Sequence, residues 1–358
     1  MHMNKLKIGS ITVNLPIIQG GMGVGISLSS LAAAVANEGG IGVISTAAIG
    51  INESDFFSNF VDANIRGLKK EIRKARELTK GIIGVNIMTA LSNYADMVRT
   101  AIEEGIDVIF SGAGLPLNLP QFLTGEGRTM LVPIVSSARA AGIISKRWLE
   151  KYDYLPDAVV VEGPMAGGHL GFKEEQVDDK EFALEKLVPE VVNEIRPLED
   201  KYEKSIPVIA AGGIYNGEDI RRIMKLGAAG VQMATRFVTT DECDASIEFK
   251  NKYIQSRKED IVIIDSPVGM PGRAIGNNFI DAVRKGKKHP LNCHFHCIKT
   301  CNIESSPYCI AHALINAQRG NMEQGFAFAG ENAYRTSEII SVKKLIETLK
   351  REYADSAP

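Results

Sequence analysis

The chain has 358 residues, 45% hydrophobic and 23% charged, an ordinary balance for a soluble globular protein. Its 41 basic and 43 acidic residues leave a formal net charge of -2, which excludes a global basic field for nucleic acid. No apolar run reaches the ~20 residues that span a bilayer, and the first residues lack the apolar core of a signal peptide. Five cysteines at this length do not make a secreted disulfide scaffold. The expectation is a cytoplasmic protein that acts on small molecules, with no nucleic-acid or membrane partner.

Residues 16–20, Pro-Ile-Ile-Gln-Gly, read as a short strand running into the glycine-rich stretch Gly20–Gly25. Ser27 is placed to cap an alanine-rich helix over 28–37, and Gly39-Gly40 stops it before a second strand at 41–46. The charged residues 53–79 read as a solvated helix. A third strand, 82–88, is interrupted by Asn86, whose amide needs partners: it ties a loop or reads a polar ligand edge. A helix over 92–105 leads to the fourth strand at 107–110. The fifth strand, 131–135, carries Pro133, which argues against full pairing in a central position, and a helix follows to about 151. The sixth strand, 158–161, turns polar at Glu162 and breaks into Gly167-Gly168-His169. A helix over 181–199 precedes the seventh strand, 207–211, with Gly212-Gly213 at its tip. Asn216 opens a helix over 217–226, and the eighth strand, 230–233, runs into Ala234-Thr235.

Apolar strands alternating with helices imply parallel pairing and right-handed crossovers. Eight such units close into a (β/α)8 TIM barrel; an open doubly wound sheet is the alternative, but it would carry its glycine-rich turn after the first strand. The organisation expected is a barrel over 1–239, an inserted lid subdomain over 240–305, and C-terminal helices over 306–358 packing back on the barrel. Within the insertion, a charged helix over 246–257 and a short strand over 261–264 precede SPVGMPGRAIGNN. Two helices, 307–319 and 337–353, close the chain.

In such a barrel the working face is the C-terminal edge of the strands. The unusual residues collect there: Gln19, Gly20, Gly21, Asn86, Glu162, Gly167, Gly168, His169, Gly212, Gly213, Gln232, Met233, Ala234 and Thr235. Gly212-Gly213 and Ala234-Thr235 follow strands seven and eight, the usual phosphate position, where glycine amides and a threonine hydroxyl can point at an anion. No Walker pattern is present, and no GxGxxG has an acidic partner at the expected distance. A phosphate held by backbone amides suits a phosphorylated cofactor whose flat ring is edged by Gln19, Asn86, Glu162 and Gln232.

The segments PIIQGGMGVGIS, EGPMAGGHLGF, AAGGI and GVQMATRF resemble the FMN-dependent nitronate monooxygenase family, the 2-nitropropane dioxygenases. The FMN-dependent enoyl-acyl carrier protein reductases belong to the same superfamily. The resemblance covers Pro16 to about Phe237. It implies FMN, with phosphate on Gly212, Gly213 and the 232–235 turn, and with Gln19, Gly20, Gly21, Asn86, Glu162 and Gly167 around the ribityl chain and ring. His169 matches the family's active-site histidine. The activity implied is oxidation of alkyl nitronates or nitroalkanes by O2 to carbonyl compounds and nitrite. Glu162 replaces the glutamine common in nitronate monooxygenases and looks like the reductases, and Ala234 replaces a common glycine. The alternative is therefore an NAD(P)H-dependent enoyl reductase; a third, a non-catalytic flavin-binding protein. A homodimer is open to either enzyme.

Cys293, Cys297 and Cys301 recur every fourth residue and would share one face of a helix. With Cys309, and with His294, His296 and His312 nearby, they are candidates for zinc or an iron–sulfur cluster, against free or buried thiols. Arg273 and Asn277-Asn278 are read as a loop over the barrel mouth, where Arg273 would meet an anion or simply be solvated.

Overall fold

The computed structural model describes residues 3–123, 129–287, 293 and 295–356. Eight strands form a closed parallel barrel: β1 (Ile17–Gln19), β2 (Ile41–Ser45), β3 (Ile82–Met88), β4 (Val108–Gly112), β5 (Met130–Val135), β6 (Val159–Glu162), β7 (Val208–Ala211) and β8 (Gly230–Met233). β8 returns to pair with β1, so the sheet has no edge. The strands are apolar almost throughout because both faces are buried. Ile18, Val43, Phe110, Val132, Val160 and Ile209 fill the interior. Their neighbours in sequence, such as Ile17, Ile44, Ile109, Leu131, Val159 and Val208, pack outward beneath the helices. An N-terminal hairpin, Leu6–Ile8 with Ile11–Val13, contributes Leu6, Ile8 and Val13 to the interior core and plugs its N-terminal end.

The outer layer comprises α1 (Ser29–Asn37), α2 (Phe60–Leu78), α3 (Tyr94–Glu103), α4 (Ala138–Tyr152), α5 (Leu184–Tyr202) and α6 (Gly217–Lys225). Among the described residues, strict alternation of the barrel strands β1–β8 with α-helices fails once. Between β4 and β5, the described residues hold a 3-10 turn, Leu119–Phe122, in place of an α-helix. Pro133 does not weaken β5: it lies opposite Ser111 of β4, and Ile134 and Val135 carry the pairing to β6. Ser27 does not cap α1. Its Oγ accepts the Met22 N–H at 2.8 Å and closes the glycine loop, while carboxylates from Asp244 and Glu71 take the Leu28 and Ser29 N–H groups. Anions there complement the positive end of the helix dipole.

After β8 only one short turn of helix, α7 (Thr235–Val238), precedes a long excursion. It contains α8 (Ile247–Gln255), β9 (Ile261–Asp265), β10 (Pro271–Ile275), α9 (Asn278–Arg284) and α10 (Ile310–Gln318). The GMPGRAIGNN stretch is therefore strand and helix, not loop: β10 pairs with β9, and Asn277 caps α9 by accepting the Ile280 N–H. The chain then returns with α11 (Val342–Asp355), which packs between α6 and α1 and fills the place of the eighth barrel helix.

The α6–α11 contact is close. A Cβ built on Gly217 would lie 2.1 Å from the Tyr353 nitrogen and 2.5 Å from the Leu349 oxygen. Gly217→Ala should therefore destabilise the protein by about 2–3 kcal/mol through overpacking, read as a lower urea midpoint at unchanged slope. An unchanged midpoint would show that α11 does not close the ring in solution.

Candidate active site

Strand parity sets which side chains meet at the C-terminal mouth. On β3 the positions in phase with the interior end at Asn86 and Met88; on β6 they end at Glu162; on β8 they reach Gln232. All of them line one cavity of about 460 Å³, together with Gly20, Gly21, Gly167, Gly168, His169, Ala234 and Thr235. An adjoining cavity of about 70 Å³ is lined by Gly212, Gly213, Met233, Ala234 and Thr235 and shares Glu162, Gly167 and Gln232 with the first.

Gln19 is the exception. It shares outward parity with Ile17, is fully buried, and lines neither cavity. Its Oε1 accepts the Val43 N–H at 3.0 Å and its Nε2 donates to the Gly20 carbonyl, so the amide stitches β1 to β2. Counting parity from Ile18 would have removed it from the set. Met233 has the same outward parity, and its side chain belongs to the layer beneath the helices.

Two glycines are dictated by close approach. A Cβ on Gly21 would lie 2.4 Å from the Asn86 Cβ. Gly213 has φ +79°, in the left-handed region, and a Cβ there would meet the Met165 Cβ at 2.9 Å. Among the described residues, the N–H groups of Gly212, Gly213, Ala234 and Thr235 have no acceptor in the protein. Thr235 Oγ1 accepts the Gly330 N–H at 3.3 Å, which leaves its hydroxyl hydrogen to donate. The smaller cavity is thus a ring of donors without partners.

His169 lies on a two-residue strand, Gly168–His169, that pairs antiparallel with Gly272 and Arg273 of β10. Its Nε2 is 2.7 Å from Ser266 Oγ, and the Phe328 ring stands edge-on with centroids 4.9 Å apart. Burial pushes the imidazole down to about 4, so it is neutral at neutral pH. Burial also pushes the Glu162 carboxyl up to about 7. The two groups whose ordinary values would make a carboxylate and a half-charged imidazole are instead a half-protonated acid and a neutral ring.

Arg273 does not reach the cavity. It is 3% exposed on β10, with Nε 2.9 Å from Glu331 Oε2, and it donates to the Pro164 and Ala166 carbonyls. It fixes the loop that carries Gly167 into His169. The cysteines do not share a helical face either, because 295–301 is irregular chain with one bridge at Ile298. Cys293, Cys297, Cys301 and Cys309 are free thiols, and among the described residues no three of His, Cys, Asp and Glu gather to hold a metal. His294 lies outside the described residues.

Several lining residues escaped the sequence reading. Tyr253, Met270, Leu314 and Phe328 all come from beyond residue 239 and roof the cavity. Tyr253 donates from its hydroxyl to the Phe328 carbonyl. Phe249 and Tyr253, four apart and so on one face of α8, were the available signal.

The Glu162 shift has a consequence for stability. Ionising a buried carboxyl costs the folded state, so stability is lost as pH rises from the ordinary value of 4.5 to about 7. His169 acts in the opposite sense, with stability lost as pH falls from 6.5 to about 4. In the flavin-free protein Glu162→Gln should raise stability at about pH 8 by roughly 2 kcal/mol, discounted for water in the cavity, and leave it little changed near pH 4. Urea unfolding at both pH values measures this, and equal gains at both would show that ionisation is not the cause.

The family model of nitronate monooxygenases matches residues 4–352. A probable nitronate monooxygenase of Staphylococcus saprophyticus is 27% identical over 384 aligned positions, 98% of each chain. The (3aS,4S,5R,7aS)-5-hydroxy-7a-methyl-1-oxo-octahydro-1H-indene-4-carboxyl-CoA dehydrogenase of Mycobacterium tuberculosis is 27% identical over 281 residues, 78% of this chain and 68% of its own. FabK from Thermotoga maritima has a similar structure, with TM-score 0.74 at 28% identity, covering 96% of this chain and 94% of that one. No helix among the described residues is long and apolar enough to cross a membrane. A barrel with its polar groups converging at the C-terminal mouth, matched along nearly its whole length, places the chain in the nitronate monooxygenase family of flavin-dependent oxidoreductases.

Proposed function

We propose that the protein is an FMN-dependent nitronate monooxygenase that oxidises alkyl nitronates with O2 to carbonyl compounds and nitrite. The observation that carries the reading is the chemistry of the larger cavity. A neutral histidine faces a chamber walled by Met22, Met88, Ile134, Met270, Leu314 and Phe328, and among the described lining residues there is no lysine or arginine. Such a chamber suits a small substrate with an apolar tail.

The residues fit a phosphorylated flavin. The unpartnered amides of Gly212, Gly213, Ala234 and Thr235, with the Thr235 hydroxyl, would take the phosphate. Gly20 and Gly21 leave room for a ring against the mouth, and Asn86, Glu162 and Gln232 would meet its polar edge. When bound, the flavin supplies the redox chemistry, taking electrons from the nitronate and passing them to O2. His169 orients the substrate's nitro oxygens, and Tyr253, Met270, Leu314 and Phe328 roof the chamber and limit water.

A second reading rests on the likeness to FabK and on a carboxyl at Glu162: an NAD(P)H- and FMN-dependent enoyl-acyl carrier protein reductase, with His169 as proton donor.

Protein isolated with its cofactor should absorb near 450 nm and release FMN; colourless protein that takes up no FMN would overturn the reading. Thr235→Val should weaken FMN by about tenfold and leave riboflavin unaffected, measured by quenching of flavin fluorescence, since one phosphate hydrogen bond is lost. His169→Asn should keep the flavin and lose nitronate oxidation by at least about 100-fold. Full activity in that variant would remove His169 from the chemistry. Rapid anaerobic bleaching by NADH, with turnover of an enoyl thioester and none of a nitronate, would establish the reductase instead.

A further inference from the structure

Ser266 follows β9 and is buried, with its Oγ 2.7 Å from His169 Nε2. The same Oγ accepts the Val268 N–H at 3.3 Å, so one lone pair of the hydroxyl is occupied. Its hydrogen must go somewhere. Among the described residues the acceptor within reach is Nε2. Were Nε2 to carry the ring proton and donate to Oγ, the serine hydrogen would be left buried without an acceptor among the described residues. The arrangement that satisfies every group has Ser266 donating to Nε2 and the ring proton on Nδ1. The strand pairing of His169 with Gly272 and the edge-on Phe328 ring hold the imidazole in that orientation. The ring lines the larger cavity, and Nδ1 is the nitrogen not engaged by Ser266.

We propose that Ser266 is a positioning residue that locks His169 in the Nδ1–H form, so that the imidazole presents a hydrogen-bond donor to the chamber and the enzyme accepts the preformed nitronate anion while rejecting the neutral nitroalkane. The inference rests on the nitronate monooxygenase reading above and names the contact that would hold the enzyme to the anion. Taking a proton from the carbon of a nitroalkane requires a ring nitrogen with a free lone pair. Nδ1 carries a hydrogen, and the Nε2 lone pair is held by the serine. A nitronate has already lost that proton, and its oxygens accept from Nδ1–H as a charge-assisted hydrogen bond.

The test uses flavin-loaded protein labelled with 15N-histidine, and long-range proton–nitrogen spectra that distinguish the two ring nitrogens; His169→Asn identifies the His169 signals by their loss. The wild type should show the proton on Nδ1, Ser266→Ala should show both forms, and Ser266→Thr should restore the first. A proton on Nε2 in the wild type, or spectra unchanged in Ser266→Ala, overturns the proposal. In parallel, wild-type turnover of a nitronate should exceed that of its parent nitroalkane by at least about 100-fold at neutral pH. Ser266→Ala should raise the nitroalkane rate by about tenfold, the weight of one hydrogen bond. Equal wild-type turnover of the two substrates overturns the substrate clause and leaves the oxidase reading intact. Turnover of neither fails the oxidase reading and the substrate clause together, while the spectra still decide the tautomer.

Discussion

A histidine on a strand of two residues has no local structure to hold it. The pairing of Gly168 and His169 with Arg273 and Gly272 supplies that structure, and the arrangement of the mouth follows from it. β10 brings the turn with Ser266 against one side of the imidazole, and the segment after α10 brings Phe328 against its face. Arg273, from the same strand, reaches the Pro164 and Ala166 carbonyls and pairs with Glu331. Arg273 is buried and Glu331 half-buried, so this strand is fixed by an ion pair and two carbonyl contacts as well as by its ladder. The barrel presents the histidine, but the excursion after β8 decides how it points.

The site divides into two electrostatic regions. The barrel strands end in amides, glycines and one carboxyl, and the roof is apolar. At the far end the smaller cavity gathers backbone donors, and Arg236 and Arg335 place their guanidinium groups 4.7 and 4.3 Å over the Tyr215 ring that lines it. Positive character is therefore concentrated at the smaller cavity, and among the described residues lining the larger one there is no lysine or arginine. In the uncharged region burial acts on both titratable groups in the direction of neutrality, which leaves hydrogen bonds rather than charges to orient a substrate.

The barrel was legible because each strand is a continuous apolar run ending in a small or polar residue, and that pattern has one cause, burial on both faces. Position along the rim was legible for the same reason, and Asn86, Glu162, Gln232 and His169 come together as read. Gln19 was misplaced because its side chain replaces a ladder bond, a role that leaves no mark in composition. Among the described residues no α-helix stands between β4 and β5; alternation implied one, but no pattern in the sequence marked it. Arg273 and Ser266 depend on contacts across about a hundred residues, which local periodicity does not report. The cysteine spacing mimicked a helical face, but the chain there is tied by a bridge from Ile298 to Leu91 instead.

The return of α11 to the place of the eighth helix has a consequence for biosynthesis. The last unit of the barrel is divided, with β8 ending at Met233 and its covering helix starting at Val342. As the chain emerges from the ribosome, β8 can close against β1 while α1 and α6 still expose the faces that α11 will cover. During that interval the nascent barrel carries an open apolar seam, the kind of surface that chaperones hold.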